Sequence, residues 1–220
     1  MRISDIQPQK RNTHRVSIYI DGKYAFSLDN DTLLESGLHL GDEVSDELRE
    51  RLIGKDELAR ARDYAYTLLS YRERTERELE ARLREKGFTP RSVERVGALL
   101  KEKGLLDDRA FALKWIDGVL ASKPMGRVRV EHELKRRRIR DELIEEACDL
   151  KLGAGAEMEL ARSACRKRLE SLASYPREVA ARRLERFLRG RGFDFGVIRA
   201  LMREYFGGEG ESGGNSEEFG

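Results

Sequence analysis

The chain has 220 residues, enough to bury roughly 70% of its unfolded surface and to support a core without a metal or a disulfide. It is 38% charged and 39% hydrophobic, with 43 basic residues against 41 acidic. No run approaches the ~20 apolar residues of a membrane span, and the opening MRISDIQPQKRNTHR has no apolar leader core, so the expectation is a cytoplasmic protein. Cys148 and Cys165 stand apart with no CxxC spacing, which reads as two free, buried thiols in a reducing compartment.

Residues 1–54 predict a small β region followed by short helices. Val16, Ile18 and Ile20 alternate with Ser17 and Tyr19, Asp21-Gly22 supplies a turn that tolerates positive φ, and Tyr24, Phe26 and Leu28 alternate on the return. Ile3 and Ile6 suggest a third strand. Two or three short strands are marginal alone, so this piece must pack on neighbouring helices. Asp31 to Ser36 suggests one such helix, Gly37-Leu-His-Leu-Gly41 breaks the pattern, and Ser45 can cap a short helix through Arg51.

A five-position apolar template then occurs three times. Leu79, Leu83, Phe88, Val93 and Val96 recur 51 residues later as Val130, Leu134, Ile139, Ile144 and Ala147, and after a further 54 as Leu184, Leu188, Phe193, Ile198 and Leu201. Each copy surrounds a basic hexamer: LREKGF, LKRRRI and LRGRGF. This is the signature of a tandem helical repeat, and each repeat reads as three helices.

Repeat one spans 55–106. Leu58, Ala61, Ala65, Leu68 and Leu69 form one helical stripe, and Thr75-x-x-Glu78 is a capping box. Gly87 is a left-handed terminator, and Thr89-Pro90 opens the third helix. Repeat two spans 107–153, with Phe111, Trp115 and Leu120 on its first helix, a break at Pro124 and Gly126, and Asp141 capping its third helix. Arg138 fills the glycine slot of the hexamer; a left-handed arginine costs roughly 1 kcal/mol, so this helix is expected to end by a different geometry. Repeat three spans 154–206, with Leu160, Leu169, Leu172, Leu184, Phe187 and Leu188, and Asp194 capping its last helix. Residues 207–220 carry Glu209, Glu211, Glu217 and Glu218 with no base and nothing to bury, and are expected to be a disordered acidic Gly/Ser tail. The fold class is therefore mainly α: three tandem three-helix repeats, expected as an elongated curved array, behind an N-terminal β-hairpin region.

No catalytic constellation is present. There is no phosphate loop and no dinucleotide fingerprint, His14, His39 and His132 have no ligand spacing, and Glu145-Glu146 suits solvated helix pairing. Trp115, Phe111 and Tyr66 fall on core stripes rather than on a stacking surface. No enzyme, metal or cofactor is expected.

Charge is instead graded along the repeats. Removing the acidic tail leaves +6 on the body. In the second helix of repeat one, residues 75–86, four acids offset four bases, whereas residues 126–137 and 178–191 each hold five bases against two acids. Arg127, Arg129, Lys135, Arg136, Arg137, Arg138 and Arg140 in repeat two, with Arg182, Arg183 and Arg186 in repeat three, are the candidate binding residues. Arg129, His132, Lys135 and Arg136 are expected to project opposite Val130 and Leu134 as a basic stripe. Helical arginines often serve solubility, but the neutral counterpart in repeat one shows that this helix does not require them. The functional reading is a surface for a polyanionic backbone or an acidic groove on a protein filament.

Several segments carry a resemblance to a known family. Leu69-Ser-Tyr-Arg-Glu-Arg-Thr-Glu-Arg-Glu-Leu79 with Leu83 to Phe88, Gly104-Leu-Leu-Asp-Asp-Arg-Ala-Phe-Ala112, and Gly126 to Leu134 resemble the RecX family, regulators of the bacterial recombinase RecA. The IDGKYAFSL hairpin resembles the extension of its longer members, and the likeness spans residues 1 to 206. Arg138 departs from the glycine usual there. The resemblance implies a non-enzymatic modulator, chiefly an inhibitor, lying in the groove of the RecA filament on single-stranded DNA and suppressing strand exchange, ATP hydrolysis and co-protease activity. A monomer with no membrane contact is expected. The alternative is a direct DNA-binding protein using helix-turn-helix-like repeats; against it, the third helices at 90–103 and 142–151 lack the strong basic excess of recognition helices.

Overall fold

The structure, a computed structural model, describes residues 1–10 and 12–207. The expected tail lies outside the described residues, apart from Gly207. The chain divides into two compact units that meet in sequence at Leu106 and Asp107.

In the first unit, β1 (Ile3–Pro8), β2 (Arg15–Ile20) and β3 (Lys23–Asp29) form an antiparallel sheet in the order β1-β2-β3. Asp21 and Gly22 both take positive φ, 50° and 78°, the tight turn whose twist matches the flanking strands. The alternation read in the sequence puts Val16, Ile18, Ile20, Phe26 and Leu28 on one buried face with Ile3, Val44 and Leu52. That face packs on α1 (Asn30–Ser36) and on α2 (Asp46–Tyr71).

The expectation of a short helix through Arg51, separate from the first helix of repeat one, is corrected. Ser45 does cap the helix, accepting from the Leu48 amide, but α2 then runs unbroken for 26 residues. Gly54 in its middle costs only about 1 kcal/mol relative to alanine. Two cores outweigh that cost: Leu52 packs under the sheet, while Ala61 and Ala65 pack in the first three-helix core. Between them the buried Asp56 accepts from the Asp29 amide at 2.6 Å and from the Arg15 guanidinium at 3.2 and 3.0 Å, fastening the sheet to the helix.

The first three-helix core is completed by α3 (Glu76–Glu85) and α4 (Pro90–Glu102). Thr75 accepts from the Glu78 amide as expected; the Glu78 carboxylate reaches Arg72 at 2.9 Å. In the second unit, α5 (Asp108–Ser122), α6 (Arg127–Arg136) and α7 (Asp141–Leu152) enclose one core, and α8 (Ala154–Leu172), α9 (Arg177–Gly190) and α10 (Phe195–Phe206) enclose another. Leu160 packs against both. All fifteen template positions are buried, none more than 8% exposed.

Two local expectations in repeat two are corrected. Asp141 is the first helical residue of α7 rather than its cap; Arg140 takes the cap position with no side-chain bond. Arg138 adopts the left-handed conformation, φ 60°, like its counterparts Gly87 at 92° and Gly192 at 73°. The Arg138 amide donates to the Lys135 carbonyl, and the Ile139 amide reaches back to Leu134. The same pair of bonds closes α3 and α9, so burial of Ile139 and the shared helix ending override the penalty on a side-chain-bearing residue.

Candidate functional site

Helix α6 begins without a side-chain cap, because Gly126 occupies that position. Its exposed first amides are satisfied from the next repeat instead. Gly126 N–H donates to the Arg191 carbonyl at 3.0 Å, Arg127 N–H to Oε1 of Glu157 at 2.9 Å, and Val128 N–H to the Gly192 carbonyl at 3.1 Å. The amino end of α6 therefore abuts the carboxyl end of α9, and the opposite partial charges of the two helix ends meet. Glu157, 3% exposed, also accepts from the Asp194 amide at 3.1 Å. Glu57 of repeat one binds the equivalent Thr89 amide at 2.6 Å.

On α6, Val130 and Leu134 are buried, while Arg129, His132, Lys135 and Arg136 are exposed as expected. Their charge is partly answered. Glu133 lies 3.4 Å from Arg129, 3.7 Å from Arg136 and 3.3 Å from Arg137. Burial raises the Glu133 carboxyl, but the Arg137 hydrogen bond and the charges of Arg136, Arg129 and Arg137 outweigh it, holding the group below the ordinary carboxylate range. Lys135 pairs with Asp141 at 3.2 Å. Arg127 is held by Asp149 and Glu131, whose hydrogen bonds push its own pKa up, so it is a structural clamp. Arg137 lies over the Trp115 ring at 4.4 Å. Arg138 and Arg140 are exposed and make no ion pair with a described residue.

On α9, Ala180, Leu184 and Leu188 face the core. Arg182 and Arg186 are exposed and make no ion pair with a described residue, while Arg183 covers the Tyr175 ring at 4.0 Å. Helix α3 differs: Arg84 pairs with Glu80 and Arg82 with Glu85, each within 3.1 Å. Of the ten candidates, Arg138, Arg140, Arg182 and Arg186 thus carry unanswered charge. Sequence reasoning missed Gly126, Gly192 and Glu157; the signal was a helix start at Gly126 with no capping side chain.

A hollow of about 750 Å³ lies elsewhere, between α2 and α4 in the first unit. Arg51, Arg91 and Arg95 share it with Glu47, Glu50 and Glu57, a mixture with no single sign. No helix among the described residues is long and apolar enough to cross a membrane.

Comparison with known proteins places these elements. Residues 1–45 match the regulatory protein RecX N-terminal domain, and 61–96, 107–147 and 156–202 match the first, second and third RecX three-helix domains. A regulatory protein RecX of Bacillus licheniformis is 32% identical over 203 residues, covering 92% of this chain and 76% of the relative. The chain belongs to the RecX family. A regulatory protein RecX of Chlorobaculum tepidum is 37% identical over 149 residues, covering 68% of this chain and 90% of its own. A crystal structure of a regulatory protein RecX superposes with a TM-score of 0.68 at 26% identity, covering 90% of this chain and 98% of that one. RecX membership accounts for three three-helix domains behind a three-stranded sheet, and it makes this chain a member of a family of regulatory proteins.

Proposed function

We propose that the protein is a non-enzymatic modulator, chiefly an inhibitor, of the RecA recombinase filament. It binds along the filament groove on single-stranded DNA and suppresses strand exchange, ATP hydrolysis and co-protease activity. The identity of the filament is supported by the family, and the docking surface by one observation: α9 holds the unanswered arginines Arg182 and Arg186 and the turn after α6 holds Arg138 and Arg140, whereas two of the three arginines of α3 are paired within it. Exposed unpaired guanidiniums attract a polyanionic or acidic groove, and those already bound to carboxylates must first release them. Arg129, Lys135 and Arg136 then act as a second tier, with Arg127, Arg137 and Arg183 chiefly shaping the helices.

The test is single-stranded-DNA-dependent ATP hydrolysis by RecA with this protein titrated in at two salt concentrations. Inhibition below one copy per recombinase subunit, weakened by salt, is expected. Full activity at a molar excess of the protein would overturn the proposal.

A further inference from the structure

The seam between α9 and α6 is built more tightly than a contact between two independent repeats requires. Two backbone hydrogen bonds cross it, from Gly126 and Val128 to the Arg191 and Gly192 carbonyls. The Arg191 guanidinium donates in the opposite direction, to the Pro124 carbonyl at 2.9 Å. Glu157 gives one buried carboxylate oxygen to an amide of each repeat, Arg127 and Asp194. Gly126 is buried, and a Cβ there would overlap the Phe193 backbone and the Gly192 carbonyl; a Cβ on Gly192 would overlap the backbone and Cβ of Arg129. The seam is closed to any side chain on either glycine.

Unanswered arginines lie on α9, at Arg182 and Arg186, and in the turn that closes α6, at Arg138 and Arg140. We infer that the seam fixes α9 and α6 as one bivalent docking element for a single filament, with Gly126, Gly192 and Glu157 as positioning residues. This rests on the proposed filament reading and adds that the two arginine pairs engage together. At about 1.5 Å per residue, α9 and α6 are roughly 21 and 15 Å long, so two distant arginine pairs are held at one fixed separation. A rigid link of that kind makes the second contact intramolecular, which multiplies affinity without adding any contact. A loosened seam loses that factor while each arginine pair keeps its own charges.

The experiment measures binding of the labelled full chain to RecA filaments assembled on single-stranded DNA with a non-hydrolysable ATP analogue. Arg182→Ala/Arg186→Ala and Arg138→Ala/Arg140→Ala each delete one pair, and Gly126→Ala is placed in all three backgrounds. Gly126→Ala is expected to weaken binding by about tenfold or more when both pairs are present and by less than about twofold when either is missing. Glu157→Ala should reproduce that pattern, and Glu157→Gln, which keeps a carbonyl acceptor, should stay near wild type. Fold retention is read from circular dichroism and Trp115 fluorescence; if Gly126→Ala does not fold, Glu157→Ala carries the test. An equal loss in every background, or none in any, overturns the inference while leaving the filament reading intact. If neither pair deletion weakens binding, the inference alone falls; if the wild-type chain does not bind the filament, the filament reading falls with it.

Discussion

Replacing Arg138 by glycine should make the second three-helix domain more stable, although it removes a charge from the hydrogen-bonded turn that closes α6. Arg138 holds φ at 60°, where a Cβ costs about 1–2 kcal/mol. Glycine removes that strain but adds freedom to the unfolded chain worth roughly 0.5–1 kcal/mol. The Arg138 side chain makes no ion pair with a described residue, so little else is lost, and the net gain is about 0.5–1 kcal/mol, or roughly 2 to 5 °C in Tm. Arg138→Ala keeps the strain and loses the charge, so it isolates the backbone effect. Trp115, the single tryptophan, sits against the same core and reports urea unfolding of this domain. A glycine variant no more stable than the alanine variant would refute the argument. Both should bind the filament more weakly than wild type, so stability and binding move in opposite directions in Arg138→Gly.

Asp56→Ala should cost about 2–4 kcal/mol in the first unit, because it takes the buried carboxylate from the Arg15 guanidinium and the acceptor from the Asp29 amide; a loss under about 1 kcal/mol by urea unfolding would contradict that role. The lowered Glu133 carboxyl contributes stability that is present above the usual carboxylate pKa and lost as pH falls through its depressed folded value. Unfolding curves from pH 3 to 7 should therefore show wild type gaining on Glu133→Gln as pH rises, and at pH 7 the glutamine variant, with Arg129 and Arg136 released, should bind the filament more tightly. A constant stability gap across that range would count against it. Burial pushes the Cys148 and Cys165 thiols up to about 11, so a disulfide reagent at pH 7.5 should label them only as fast as the domains open; prompt labelling of the native protein would contradict their burial.

The apolar spacing carried most of the fold. A side chain four residues along a helix shares a face with the first, so Leu79-Leu83, Val130-Leu134 and Leu184-Leu188 declared their cores without any tertiary information. The sheet followed from period two and from Asp21-Gly22. What escaped depends on partners distant in sequence. Glu157 caps a helix 30 residues earlier, and no local pattern distinguishes such a glutamate from a solvated one. The break expected after Arg51 failed because Leu52 and Ala61 serve two different cores on one helix. Arg138 was misjudged because about 1 kcal/mol of local strain is small beside the burial of Ile139 that the left-handed ending permits. The basic composition of α6 was legible, but the gathering of three arginines around Glu133 was not, since counting charges does not say which ones meet.

The most direct test of the filament reading is co-sedimentation of the protein with RecA filaments on single-stranded DNA, beside the same DNA without RecA, in buffer of 0.15 M ionic strength, where screening acts over about 8 Å. The protein is expected to pellet with the filament and to stay in solution with bare DNA, and Arg138→Ala/Arg140→Ala and Arg182→Ala/Arg186→Ala should each reduce the pelleted fraction. Equal binding to bare DNA, unchanged by adding RecA, would contradict it and would make the protein a direct DNA binder.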